Sequence, residues 1–379
     1  MTHPLGDVHI VDFSRVVSGP LATMLLADLG ASVTKVERPG TGDDTRSFPP
    51  YDERGQSTYF QAVNRNKDSV VLDLRSADGL RAASELIDGA DVVVENFRTG
   101  VMARFGLDYA TLAAAHPGLV YCSITGFGSG PGARLAGYDL LVQALGGLMS
   151  ITGEPAGKPQ IVGAAFIDVI TGLFATVGVL AALRHRDATG EGQHVEVNLM
   201  SALLAALGND ASEYTLAGIV AQRTGSDHPS VAPYGLFAAE DADLVLAVGN
   251  DRQFRELADV LGEPAIADDP RFSTNADRVA NLPMLRTELE NILRTYPVAE
   301  WSDKLMKAGV PAGRVNNIAQ AFRLAETLGL EPTVAVPRAD GSVARLVRNP
   351  IRLSRTPVTY RSAPPALAAD VLSPGKRVR

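Results

Sequence analysis

Residues 9–37 read HIVDFSRVVSGPLATMLLADLGASVTKVE, and the hydrophobic period changes twice inside them. His9-Ile10-Val11-Asp12-Phe13 has the length and apolar density of a short buried strand. Residues 14–20 hold Gly19 and Pro20 and read as a turn. Residues 21–29 space their apolar side chains as a helix does, and Gly30 follows where a helix ends on a positive φ. Residues 31–37 resume as a second strand. A strand, a helix and a strand joined this tightly predict parallel pairing, because the helix carries the chain back along the sheet.

The same alternation continues outward. Residues 70–74, 91–94, 119–124 and 192–197 are further strands, and helices are expected over 77–88, 108–115 and 199–217. Repeats of this kind give an α/β fold with a Rossmann-like parallel sheet covered on both faces. Residues 218–235 turn polar and rich in glycine and proline, which marks a boundary. Beyond it, 234–239 and 244–248 read as a hairpin, and helices follow near 251–262, 284–295 and 298–308. Two strand-like segments, 333–336 and 343–346, flank the turn signal Asp340-Gly341. The expected division is a large domain over 1–222, a smaller α+β domain over 223–326, and a return to the large domain over 327–379.

Length and composition fit this plan. The 379 residues exceed one small core, and 46% hydrophobic with 21% charged residues exclude a largely disordered chain. A net charge of −8 without a basic stripe argues against general nucleic-acid binding. The single cysteine, Cys122, lies in an apolar strand and rules out an intrachain disulfide framework or a cysteine-rich metal site. Met1-Thr2-His3-Pro4 opens no secretory signal, so a cytoplasmic location is expected.

One apolar run, residues 161–183, is long enough to span a membrane. It contains Gly163, Gly172, Gly178 and an acid, Asp168, and is read as a soluble core helix buried on all sides, with its entry loop. Asp168 has no charge partner nearby in sequence. An unpaired buried carboxylate costs several kcal/mol or is pushed up in pKa. It is therefore either a helix cap or a nucleophile kept poorly solvated on purpose.

Basic residues stand where strand ends meet loops. Arg38 follows the second strand, Arg75 follows the third, and Arg98 and Arg104 follow the fourth. In a parallel sheet those ends gather at one edge, where arginines hold phosphates. The first turn lacks G-x-G-x-x-G, offering only Ser18-Gly19-Pro20, so a nicotinamide cofactor is poorly supported. His3, His9, His116, His185 and His194 show no metal spacing and no serine-nucleophile elbow; only His228 lies in a loop that could border a site.

Several segments together carry a resemblance. They are Val11-Asp12-Phe13-Ser14-Arg15 with Ser18-Gly19-Pro20, Leu26 to Ala31, Lys35 to Gly40, Asn64-Arg65-Asn66-Lys67, Glu95-Asn96-Phe97-Arg98, Gly126-Phe127-Gly128 and Gly137-Tyr138-Asp139. His228 to Gly235, Gly249 to Phe254 and Gly309-Val310-Pro311 complete the set. The chain resembles the class III CoA-transferases, the family of formyl-CoA transferase and carnitine CoA-transferase. The resemblance implies acyl-CoA and a small carboxylic acid as substrates, no tightly bound cofactor, no metal, no nucleic-acid or membrane partner, and an interlocked homodimer. It places Asp168 at the nucleophile position, with an aspartyl mixed anhydride and an aspartyl-CoA thioester as intermediates. Implied CoA contacts are Val17, Ser18, Arg38, Leu72, Asp73, Arg75, Asn96, Phe97, Arg98, Arg104 and Tyr138. Phe48, Tyr59, Gly249 and Asn250 are implied for the substrate pocket.

The same fold hosts α-methylacyl-CoA racemases, which pair a histidine with an aspartate as bases. Here Tyr138 occupies the histidine's place, and a neutral tyrosine, with a pKa near ~10, is a poor base. Val169-Ile170-Thr171 follows Asp168, where those racemases carry a glycine cluster. A non-catalytic CoA-binding protein is the third reading. The tail at Ser373 to Arg377 departs from the family's longer acidic helix.

Overall fold

The computed structural model describes residues 3–368, which leaves the atypical tail at 373–377 outside the described residues. Six parallel strands form the main sheet: β1 (His9–Asp12), β2 (Ser32–Glu37), β3 (Lys67–Val71), β4 (Val92–Glu95), β5 (Val120–Thr125) and β6 (His194–Asn198). Their order is β3-β2-β1-β4-β5-β6, so the topology reverses between β1 and β4. Ligands bind at that switch point, outside the carboxyl ends of the strands. Helix α1 (Ser18–Asp28) crosses between β1 and β2, and Gly30 takes φ +118° just past its end.

Three expectations shift. β3 begins at Lys67 and not at residue 70, because buried Lys67 pairs with buried Asp12 at 3.1 Å and lets polar residues enter the sheet. The helix expected over 108–115 shrinks to one turn, Tyr109–Leu112. That expected over 199–217 breaks into Leu199–Ala206 and Asn209–Ala217, where Gly208 adopts φ +54°.

The apolar run becomes helix α2 (Phe166–Thr189), the one helix among the described residues long and apolar enough to cross a membrane by length and composition. It packs on α1, β5 and β6, burying Ile167, Ala175, Val179 and Ala182. It is not buried on all sides. Phe166, Leu173, Phe174 and Val177 lie 45–63% exposed along the other side, among the described residues.

The chain divides into two compact units, one of residues 1–148, 161–220 and 331–379, the other of 149–160 and 221–330. Segment 149–160 was expected with the large domain. It joins the second unit because the Arg223 guanidinium donates to the carbonyls of Ser150, Glu154 and Gly157. In the first unit, buried Asp28 accepts a bidentate pair from Arg65 and further bonds from Asn66 and Asn349. Thr359 N–H donates to the Asp28 carbonyl, and Arg361 reaches the carbonyls of Ala27, Gly30 and Ala31. The strands at 333–337 and 343–347 form the expected antiparallel hairpin.

The second unit holds an antiparallel sheet of Tyr234–Ala238, Asp243–Ala247 and Ala312–Arg314. Its third strand was not foreseen, being only three residues long. Phe254, Leu257, Leu285, Leu289, Trp301 and Leu305 make its core. Arg278, fully buried, donates to the carbonyls of Ala232 and Phe272 and to Asp251.

Candidate active site

Loops after β1, β4 and β5 enclose a cleft of about 1000 Å³, counted to its open mouth. Arg15, Val16 and Ser18 enter from the first loop, Asn96, Phe97 and Arg98 from the second, and Thr125 to Gly128 from the third. Tyr138, Asp139 and Asp168 line the same space.

Asp168 is the third residue of α2 and lies in its first turn. It is not the helix cap. Ala165 holds that position and makes no side-chain cap. Asp139, 29 residues earlier, supplies it instead: its Oδ2 accepts the N–H of Ile167 at 2.8 Å and of Asp168 at 3.1 Å. Asp139 Oδ1 takes Gln143 Nε2 at 2.6 Å, and Gln143 Oε1 takes Val162 N–H at 3.0 Å. The free donors of a helix start are thus satisfied by a second carboxylate set close to the first. Burial pushes the Asp168 carboxyl up, the Asp139 charge adds to it, and a bond from Ser18 partly offsets both, leaving it at about 6. Such a group is ionised at neutral pH yet more basic than an ordinary aspartate, which suits a nucleophile.

Two glycines set the position of Asp139. A Cβ on Gly137 would lie 2.7 Å from the Gly126 Cα, and a Cβ on Gly126 only 2.3 Å from the Gly137 Cα. The two backbones touch, so Tyr138 and the start of the helix Asp139–Leu145 are held against the end of β5.

The first loop is held by buried charges. Lys35 Nζ donates to the Ser14 carbonyl at 2.8 Å and pairs with Asp43 at 2.9 Å. Asp43 also accepts the Val16 N–H at 3.3 Å. Val16 has φ +70°, a strained conformation for a β-branched residue. The Asn96 amide pairs with both backbone groups of Arg15, at 2.8 and 2.7 Å. Beneath, Asp12 accepts from Ser14, Thr23 and Lys67. Burial alone would raise its carboxyl, but Lys67 and Lys35 more than reverse this and hold it at about 2.

Comparison with known proteins decides the family. Residues 5–371 match CoA-transferase family III. The chain belongs to that family. It is an enzyme of the CoA-transferase class. It is 42% identical over 376 residues to a succinate–glutarate CoA-transferase of Agrobacterium fabrum, covering 96% of this chain and 93% of the relative. It is also 42% identical to an acetyl-CoA:oxalate CoA-transferase of Acetobacter aceti, over 86% and 84% of the two chains. Among solved structures, a CAIB/BAIF family protein from Brucella suis superposes with TM-score 0.86 at 40% identity, over 97% of each chain.

In this family III transferase the cleft brings together Ser18, Asn96, Phe97, Arg98, Tyr138 and Asp168 of the expected contacts. Others stand apart from it. Val17 is buried as the residue before α1, and Leu72 is buried in the core. Asp73 and Arg75 pair with each other at 3.0 Å on the surface, and Arg104 ends a single helical turn there. Arg38 bonds Asp44, which itself lines the cleft and also pairs with Arg15. Phe48 and Tyr59 meet edge to face at 5.8 Å, outside the cleft lining. Gly249 and Asn250 belong to the second unit, where Gly249 N–H donates to Gln253 and Asn250 caps the helix Asp251–Leu261. Sequence reading gave no site role to Asp139 or to Arg15, both of which line the cleft; Asp139 is the more telling of the two. It stood in view within Gly137-Tyr138-Asp139, but nothing in the sequence ties it to a helix 27 residues on.

Proposed function

We propose that this enzyme moves CoA from an acyl-CoA donor to a free short-chain carboxylate, with Asp168 as covalent relay. The carboxylate attacks the thioester carbonyl; the C–S bond breaks, giving an aspartyl mixed anhydride and CoA thiolate. The thiolate then attacks the aspartyl carbonyl, releasing the donor acid and leaving an aspartyl-CoA thioester. An incoming carboxylate reverses both steps, so no net water or proton is consumed. Each tetrahedral intermediate needs N–H donors at its oxyanion.

The observation that carries this reading is a mostly buried, raised-pKa carboxylate facing a cleft at the sheet's switch point. Arg15 and Arg98 offer cationic groups there for phosphate or a distal carboxylate. Relatives named for succinate, glutarate and oxalate make short dicarboxylates the first substrates to try. Hydroxylamine or borohydride added during turnover traps the thioester, and peptide mass spectrometry places the adduct on Asp168. An unlabelled Asp168 under a competent donor sinks the proposal, and α-carbon deuterium uptake without CoA transfer points instead to racemase chemistry.

The enzyme acts as an interlocked homodimer in the cytoplasm. The uncovered apolar side of α2 supports the dimer, since Leu173, Phe174 and Val177 need a second surface. Light scattering on the purified protein reads the mass against the 40.0 kDa chain.

A further inference from the structure

A second row of polar side chains crosses the sheet beside the cleft. Glu95 on β4 and Ser123 on β5 are register partners, and the Ser123 hydroxyl bonds the Glu95 carboxylate. His194 on β6 places Nε2 2.9 Å from Ser123 Oγ. The His194 ring stacks on Tyr109 at 5.0 Å and meets Tyr121 edge-on at 5.6 Å. Glu95 also accepts the Phe97 N–H at 2.8 Å. While Glu95 is ionised, the single hydroxyl proton of Ser123 goes to it, so Ser123 accepts from His194 and sets the histidine as its Nε2–H tautomer.

The row does not touch Asp168. It lines a separate hollow that shares only Arg98, Thr99 and Thr125 with the catalytic cleft. Its far end, however, holds the loop that builds the cleft. Phe97 sits under the Arg15 guanidinium at 4.8 Å, and Asn96 pairs with the Arg15 backbone.

We propose that Glu95, Ser123 and His194 are positioning residues, a hydrogen-bonded chain that sets the Asn96–Arg98 loop for binding CoA. This rests on the reading above that the cleft takes acyl-CoA. The groups around Glu95 are Tyr121 and Cys122 from β5, His194 and Glu196 from β6, Asp108 before the Tyr109 turn, and Arg98 in its own loop. Burial keeps Tyr121 and Cys122 neutral, pushing the thiol up to about 12. Burial also lifts Glu95 to about 7, against the bonds from Ser123 and Phe97, and lowers His194 against the pull of Glu196 and Asp108. Glu95 thus changes charge near neutrality. As pH falls through that range its hold on the Phe97 N–H weakens, so CoA affinity falls.

The test measures CoA binding by calorimetry from pH 6 to 8, which needs no turnover. Losing a buried hydrogen bond predicts a Kd about five- to tenfold higher in Ser123→Ala, with Ser123→Thr restoring the affinity. His194→Gln, which keeps a donor, binds as wild type, and His194→Ala follows Ser123→Ala. Glu95→Gln loses the pH dependence. At saturating donor Asp168 is still trapped by hydroxylamine in each variant. Wild-type affinity and pH profile in Ser123→Ala, or equal loss in both His194 variants, overturns the proposal. Tight CoA binding without any trapping in the wild type would instead fault the Asp168 reading alone.

Discussion

Replacing Asp139 by Asn removes a charge beside Asp168 while leaving an oxygen to accept the helix N–H groups. The Asp168 carboxyl stands at about 6 against an ordinary 3.8, with burial the larger cause and Asp139 the second. Each pKa step of one is worth about 1.4 kcal/mol, so the displacement represents roughly 3 kcal/mol, to which Asp139 contributes less than burial does. Asp139→Asn should therefore lower the acid limb of kcat/KM, by on the order of one pH unit. A nucleophile works ionised, so the variant gains where wild-type Asp168 is protonated. At pH 5 the ionised fraction rises about fivefold if the limb moves from 6 to 5. At pH 8 both forms are ionised, and the less basic carboxylate of the variant reacts no faster. The two profiles cross. Chromatographic assay of acyl-CoA product from pH 4.5 to 8 reads this, with the limb treated as a property of the carboxylate pair. Asp139→Ala, which also removes the cap, should cost about 1 kcal/mol of stability in addition. An acid limb that stays in place or moves upward in a folded Asp139→Asn enzyme refutes the reasoning.

Lys67→Met removes the fully buried partner of Asp12 and should cost about 3 kcal/mol in urea unfolding at pH 7. Asp12 is held at about 2, so its stabilisation is present above its unfolded value and disappears as pH falls from about 4 through 2. The variant raises that carboxyl, and its acid unfolding begins at higher pH; an unmoved midpoint contradicts the role given to the pair. Gly137→Ala puts a Cβ 2.7 Å from the Gly126 Cα, and backbone displacement there should cost about 1–3 kcal/mol and lower kcat through Asp139. Unchanged melting and turnover would show the contact to be slack. Val177→Glu charges the most exposed position among the apolar residues on α2, and light scattering should show loss of the dimer; an unaltered mass removes that face from the interface.

The parallel sheet was legible because apolar runs and turn residues alternate with little interference. β3 was read three residues late, since Lys67-Asp68-Ser69 enters the sheet through the Asp12 ion pair and not through apolar burial. Helix α2 was found from its composition, but Phe166, Leu173, Phe174 and Val177 face outward, and composition does not separate a buried face from an exposed one. Asp168 stood out as an acid in an apolar run. Its environment did not, because Asp139 and Ser18 reach it across 29 and 150 residues of chain. Among the expected CoA contacts, the loop 96–98 lies in the cleft while Leu72 lies in the core. Segment resemblance assigns roles to stretches of chain, and only side-chain direction distinguishes one residue from the next.

The network around Asp28 bears on how the protein is made. Its carboxylate leaves the ribosome early, yet its Asn349 partner follows 321 residues later and Arg361 closes the nearby carbonyls later still. At bacterial-like elongation rates that delay is roughly 15–60 s. Throughout it, Arg65 and Asn66 alone hold the charge, and the end of α1 stays open. The last described stretch of chain therefore acts as a latch on the first, and a transcript cut short after the second unit would leave the carbonyls at the end of α1 without these partners.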